Sequence, residues 1–374
     1  MKIKSFKLDD NNRNWHIEET HFDNFNLLVG ISGVGKTKIL KMLEEVCHVA
    51  TEGEHKFNGM AWQMSFEHAN HEYEWALKSA LPKQNFSKNP NQSSIVYEKI
   101  VMKHDNQTVM IVDRSDNSFL FNGKAMPKLK KTESAITLLS EEPSIAPIAD
   151  AFKKMLFSDT LQRKSLNALV NPEDLIVDET RTSFEQFKEN SVQQPTVIKA
   201  YQFQALYKNE FNSVKQDIIN IFPSIEDIKV TVTKKAEGYD FYFNIKEKTS
   251  HDWISQLDMS SGLFRTLVLM TEISLAPRGS VIVIDEFENS LGINCMPDLT
   301  DFVMSKAPLM QFILTSHHPY IISKIPTKTW KIIRRQGGQV SVINATDIPQ
   351  LQKASRLNKF IQLAHLPEYE DGIL

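Results

Sequence analysis

The residues with the most to offer chemically come early: Gly30-Ile31-Ser32-Gly33-Val34-Gly35-Lys36-Thr37 satisfies G-x-x-x-x-G-K-[ST] at every fixed position, the pattern of a loop that binds phosphate. Gly30, Gly33 and Gly35 let the backbone curl until successive N–H groups, those of Ser32 and Val34 among them, point inward at an anion. The N-terminus of a following helix attracts the same anion. Lys36 is placed to reach the β and γ oxygens of a nucleotide, and Thr37 to hold Mg²⁺. The flanks agree: Leu27-Leu28-Val29 enters the turn as an apolar strand, and Ile39, Met42, Leu43 and Val46 recur after it at helical spacing.

Three more groups lie far along the chain. Val281-Ile282-Val283-Ile284-Asp285-Glu286 is an unbroken apolar run closing on two carboxylates, as expected of a parallel strand buried on both faces that delivers acids at its C-terminal edge. Asp285 would order Mg²⁺, and Glu286 would polarise an attacking water; a core strand ending in two solvated acids is the bland alternative, weakened by the phosphate loop. Met259-Ser260-Ser261-Gly262-Leu263-Phe264-Arg265 opens a helix running through Leu267, Leu269, Met270 and Ile273. Its first turn offers a hydroxyl, N–H groups and a positive helix end, which suit a second anion site or an ordinary serine cap. Phe312-Ile313-Leu314-Thr315-Ser316-His317-His318-Pro319 is another short apolar strand with a polar end. His317 there is placed to sense a γ-phosphate, or else is a capping histidine.

In this order, phosphate loop, S-S-G helix, apolar-DE strand and T-S-H strand, the chain resembles the ABC-type ATPases, particularly the SMC, RecF and OLD-like branch. The resemblance covers its two ends. It implies an α/β fold with a mixed parallel core sheet, an antiparallel β subdomain and a helical insertion. It also implies that Ser260, Ser261 and Gly262 of one subunit complete the nucleotide site of another, so that two ATP molecules with Mg²⁺ are held in a head-to-tail dimer. Glu286 is then the catalytic base, His317 the switch, Thr37 and Asp285 the metal residues, and Glu288-Asn289-Ser290-Leu291 looks like the D-loop. The helix motif departs from L-S-G-G-Q at Met259, Ser261 and Leu263, which weakens a transporter reading. Ser-Gly followed by the basic Arg265 is more like the DNA-repair and defence branch. The phrases from Asp285 to Gly292 and from Thr315 to Ile322 also look like ATPases of Septu-type and retron-associated phage-defence systems.

Composition bounds the rest. The 374 residues are 41% hydrophobic and 24% charged, enough for a large core in an ordinary soluble protein. A net charge of −3 gives no global pull towards nucleic acid. Lys128-Lys130-Lys131 and Arg334-Arg335 could contact phosphate locally, although a solvated face is the ordinary reading. Cys47 and Cys295 are too few for a disulfide framework or a zinc site and point to a reducing, cytoplasmic setting. The chain opens on Met1-Lys2-Ile3-Lys4-Ser5-Phe6, alternating like a strand, and no run has the length of a membrane span.

Between the motif-bearing ends the periodicity changes twice. Trp62, Met64 and Phe66, then Tyr73, Trp75 and Leu77, alternate as antiparallel strands. Further strand-like runs follow at 95–102, 109–112 and 119–121, with turns at Asp105-Asn106 and Asp116-Asn117. These are expected to form a second, antiparallel sheet, with a polar loop at about 80–93. From about 130 to 222 the pattern is helical, punctuated by Pro143, Pro147, Pro172 and Pro195, and Phe203, Leu206, Tyr207, Phe211, Val214, Ile218 and Phe222 define one apolar stripe. A hairpin at 228–245 and a strand pair around Gly337-Gly338 follow, then a C-terminal helix. The expected division is an ATPase lobe at 1–125, a helical insertion at 126–225 and a second ATPase lobe at 226–374. Gln63 lies in an alternating strand and reads equally as a glutamine-loop residue or a plain exposed one.

The reading that follows is an Mg²⁺-dependent ATPase that dimerises or forms a higher homo-oligomer and controls a separate effector protein such as a nuclease. The alternatives are a slow or non-hydrolysing ATP-locked scaffold, or a RecF-type DNA-repair ATPase; contact with nucleic acid stays open. A GTPase is disfavoured, since N-K-x-D is nowhere in the chain. Only 55 residues follow Pro319, too few for the nuclease domain that OLD-like proteins append, so a nuclease output is expected from another polypeptide.

Overall fold

The computed structural model describes residues 1–53, 56–81, 93–104, 107–158, 167–168, 182–292, 294–352, 359–366 and 369. Most of the stretch expected as a loop over about 80–93, the Asp105-Asn106 turn and Pro172 lie outside them. The chain divides into two compact units: Met1–Leu156 with Gly279–Phe287 and Ala307–Leu374, and Phe157–Arg278 with Glu288–Lys306.

The first unit is built on one sheet, 14-stranded among the described residues. Its order begins Met155–Phe157, Val281–Ile284, Gln311–Thr315, Phe25–Val29, Trp330–Gln336, Gln339–Asn344 and Trp15–His21. It continues with Lys2–Asp10, Met60–His68, His71–Ser79, Ile95–His104, Gln107–Ser115, Phe119–Phe121 and Lys124–Ala125. Val281–Ile284, Gln311–Thr315, Phe25–Val29 and Trp330–Gln336 run parallel. The first three are buried at every residue, which is why they read as largely apolar runs with no alternation.

From Lys2–Asp10 onward the strands are antiparallel, and they continue the same sheet; the second sheet expected from the alternating pattern does not form. Lys2–Asp10 pairs with Trp15–His21 on one side and Met60–His68 on the other, so its two hydrogen-bonding edges join both halves. The alternating set is buried as expected, with Trp62, Met64, Phe66, Tyr73, Trp75 and Leu77 all in the core. Trp62 meets Trp75 edge to face at 5.1 Å, and Phe152 of the helix Ala146–Lys153 meets Phe66 at 5.4 Å and Trp75 at 5.2 Å. Edge-on aromatic pairs of this kind contribute beyond the area they bury. Glu98 is buried beneath them, its carboxyl pushed up by burial although Arg114, 3.1 Å away, opposes this.

The second unit packs the helices Phe184–Ser191, Thr196–Leu206, Lys208–Ile221, Ser261–Leu275 and Met296–Lys306 with a four-stranded sheet. Ile225–Lys234 and Tyr239–Glu247 form its hairpin, with Asn167–Ala168 and Trp253–Ser255 paired to the latter strand. Phe187, Phe203 and Leu275 form a buried cluster onto which Phe184, Tyr207, Phe211 and Val214 pack. The apolar stripe from Phe203 to Phe222 is not one helix. The chain breaks at Tyr207 (φ −126°, ψ 61°), where the ring packs 5.2 Å from Phe184 and 5.1 Å from Phe187 and the hydroxyl donates to the Thr182 carbonyl at 3.0 Å. Packing there overrides the helical pattern. Lys199 and Glu272 form a buried ion pair, and Thr196 Oγ1 donates to Glu272 Oε2 at 2.7 Å, so both carboxylate oxygens are engaged.

Candidate nucleotide site

The strand Phe25–Val29 releases the chain at its C-terminal end into a loop with Gly33 at φ 87° and Gly35 at φ 103°, after which the helix Lys36–Thr51 begins. No side chain caps that helix. Two glycines are required by close approach: a Cβ at Gly30 would lie 2.8 Å from the Ile333 carbonyl, and one at Gly35 2.6 Å from the Trp15 ring. Lys36 is 4% exposed, and its ammonium donates to the carbonyls of Gly30 at 2.7 Å and Ile31 at 2.9 Å. Ser32 is exposed, Val34 buried and Thr37 half-buried at the start of the helix.

A side chain that sequence reasoning did not assign also holds this loop. Arg335 Nη1 donates to the Gly33 carbonyl at 3.0 Å, and its guanidinium lies 5.2 Å from the centre of the Trp15 ring. Lys38 approaches the same ring at 5.7 Å, its ammonium held below the ordinary lysine range by burial and then by Arg13. The basic pair at Arg334-Arg335 was visible in the sequence. Its place was not, because it follows from Trp330–Gln336 lying beside Phe25–Val29.

The acids arrive two strands away. Val281–Ile284 runs parallel to Gln311–Thr315, which runs parallel to Phe25–Val29, with Ile284 opposite Leu314 and Thr315 opposite Leu28. The strand carrying the acids, the strand leading to His317 and the strand feeding the phosphate loop therefore end at one edge of the sheet, where ligands of open α/β sheets bind. Asp285 is half-buried and Glu286 exposed. Glu286 sits at φ 44°, a left-handed conformation uncommon for a residue with a side chain. The Thr315 hydroxyl donates to Asp285 Oδ1 at 2.6 Å and accepts from the Glu286 N–H at 2.7 Å. His317 is exposed just beyond this strand; the capping histidine is its neighbour His318, whose Nδ1 accepts from the Tyr320 N–H at 3.2 Å.

Ser260, Ser261 and Gly262 belong to the second unit. Ser260 caps the helix Ser261–Leu275, its hydroxyl accepting from the Leu263 N–H at 3.3 Å. A Cβ at Gly262 would stand 2.2 Å from the carbonyl of Ser290, itself at φ 61°, so the helix start and the segment around Ser290 touch backbone to backbone.

Thr37 and Asp285 carry hard oxygen atoms of the kind that could hold Mg²⁺, an ion that keeps several waters and takes one or two protein ligands together with substrate phosphates. Among the described residues no group of three or more His, Cys, Asp or Glu side chains forms an all-protein metal cage, and no helix is long and apolar enough to cross a membrane.

Residues 130–323, just over half the chain, match the family model described as "AAA domain, putative AbiEii toxin, Type IV TA system". The match takes in Ser260 to Gly262, Asp285, Glu286 and His317. No curated protein matches. Solved structures similar to this chain include an Smc head bound to the C-terminal winged-helix domain of ScpA, at 11% identity over 92% of this chain and 98% of that one, with a TM-score of 0.47. They also include the Pyrococcus furiosus Smc head with an extended coiled coil bound to the C-terminal domain of ScpA, at 10% identity over 91% and 96% with a TM-score of 0.49. The SMC head domain from Thermotoga maritima is similar at 12% identity over 92% and 99%, with a TM-score of 0.42.

Proposed function

Because the chain belongs to the family described as "AAA domain, putative AbiEii toxin, Type IV TA system", we propose that it binds ATP with Mg²⁺, hydrolyses it, and pairs head to tail with a second copy around the nucleotide. The observation that carries this reading is the convergence of Lys36, Asp285 and Glu286 on one sheet edge, with Thr315 bonded to both acidic residues. Gly30, Ser32, Gly33, Val34 and Gly35 present backbone to the phosphates, and Lys36 exchanges loop carbonyls for β and γ oxygens. Glu286, exposed at that edge, takes the proton of the attacking water, and His317 senses the γ-phosphate. Thr37 and Asp285 would hold Mg²⁺, whose charge, when bound, offsets that of the phosphates.

Ser260, Ser261 and Gly262 of the second copy complete the site, presenting the N-terminus of their helix to the γ-phosphate. The output is control of a separate effector, such as a nuclease, in prokaryotic phage defence. The phrases Asp285–Gly292 and Thr315–Ile322 and the toxin description of the family support that context. A reducing, cytoplasmic setting accords with Cys47 and Cys295 both being free thiols. The test is Mg²⁺-dependent phosphate release from ATP by the purified chain, expected in the wild type and absent in Lys36→Ala. A wild-type rate no higher than that of Lys36→Ala refutes the reading.

A further inference from the structure

Thr315 closes a strand in which every residue is buried, and it is itself 1% exposed. A hydroxyl at such a position must find partners within the protein. It finds them in the acid turn: Oγ1 donates to Asp285 Oδ1 at 2.6 Å and accepts from the Glu286 N–H at 2.7 Å. The Thr315 carbonyl accepts from the Phe287 N–H at 2.9 Å. One residue thus bonds three consecutive residues of the turn. Glu286 at φ 44° needs such support, because a left-handed side-chain-bearing residue persists where its surroundings over-determine it. The short bond to a carboxylate is of the charge-assisted kind, and the β-branched side chain holds the hydroxyl in a narrow range of χ1.

From this geometry we propose that Thr315 is a positioning residue of the ATPase site: its hydroxyl aims the Asp285 carboxylate and fixes the turn that presents Glu286. The strand that leads to His317 thereby sets both acids. The inference rests on the ATPase reading and adds to it a residue that touches neither nucleotide nor metal.

The test compares wild type with Thr315→Val, which keeps the shape and removes the hydroxyl, and Thr315→Ser, which restores it. In Thr315→Val, kcat should fall about 10-fold or more, as is usual when a partner of a metal ligand is removed, with KM for ATP changed less than about 2-fold. The Mg²⁺ concentration for half-maximal rate should rise, backbone amide exchange at Glu286 and Phe287 should accelerate, and Thr315→Ser should recover most of each loss. A lower melting temperature with unchanged kcat, Mg²⁺ dependence and exchange overturns the proposal, as does equal damage from Val and Ser. Two readouts need no turnover: amide exchange, and the Mg²⁺ needed to retain a non-hydrolysable ATP analogue. If the wild type hydrolyses nothing, the ATPase reading fails. Thr315 keeps its role if Thr315→Val still needs more Mg²⁺ and exchanges faster, and loses it if the two proteins are alike or neither binds the analogue.

Discussion

At Lys36 the ammonium already donates to two loop carbonyls, at 2.7 and 2.9 Å, where entering phosphate oxygens would take it over. Lys36→Ala removes that cation, and since a hydrogen bond to a charged group is worth about 1.5–3 kcal/mol, affinity for a labelled ATP analogue should fall by about 100-fold or more in equilibrium binding. Glu286→Gln keeps the shape of the side chain and loses the proposed base. ATP should bind and persist while steady-state turnover drops by about 100-fold or more; an unchanged rate would remove Glu286 from the mechanism. Asp150 gives a pH prediction outside the site. Its carboxyl is held down to about 2 from the ordinary 3.8, first by the hydrogen bond from His68 at 3.2 Å and then by Lys154 at 3.0 Å, against the opposing effect of burial. A folded value below the unfolded one means that this carboxylate stabilises the fold above the ordinary value and loses its contribution as pH falls towards the folded one. In thermal melts Asp150→Asn should be less stable than wild type near neutrality, and the gap should close between about pH 4 and 2. A gap independent of pH would assign the loss to packing.

Among elements, the contact between the helix start at Gly262 and the Ser290 carbonyl leaves no room for a side chain. Gly262→Ala would set a methyl 2.2 Å from that oxygen, so one backbone must move. Overpacking of this kind costs about 1–3 kcal/mol, and amide exchange should accelerate at 288–291, the segment that resembles a D-loop. Retention of wild-type stability and exchange would mean that the two segments part freely. The buried strands were readable because a strand covered on both faces is mostly apolar with no alternation, as Val281 to Ile284 is throughout. The antiparallel strands were readable from alternation, and Trp62, Met64 and Phe66 are buried where expected. The break at Tyr207 was not readable. Its 3.6-residue pattern runs on unbroken, while the turn is set by Phe184, Phe187 and Thr182, none of them within the stripe.

For the whole molecule, the proposed head-to-tail pairing predicts complementation between two dead chains. Ser260→Arg should bind ATP and fail to hydrolyse it, and mixing it with Lys36→Ala should restore about one competent site per mixed pair. No recovery at any mixing ratio would place the completed site within one chain. What the sequence determined by itself is local: glycine spacing and Lys36-Thr37 for the phosphate loop, an apolar run closing on Asp285 and Glu286, a serine-glycine helix start. Each follows from backbone freedom or burial within a dozen neighbouring residues, and a contiguous stretch carries that information whole. What only the tertiary structure decided depends on strand order. The Thr315 bond to Asp285 spans 30 positions and the Arg335 bond to Gly33 spans 302. The merging of the antiparallel strands into the main sheet rests on Lys2–Asp10 pairing along both edges. Hydrophobic periodicity tells which face of a strand is buried and is silent on which strand lies beside it, so contacts made across neighbouring strands come into view only when the sheet is assembled.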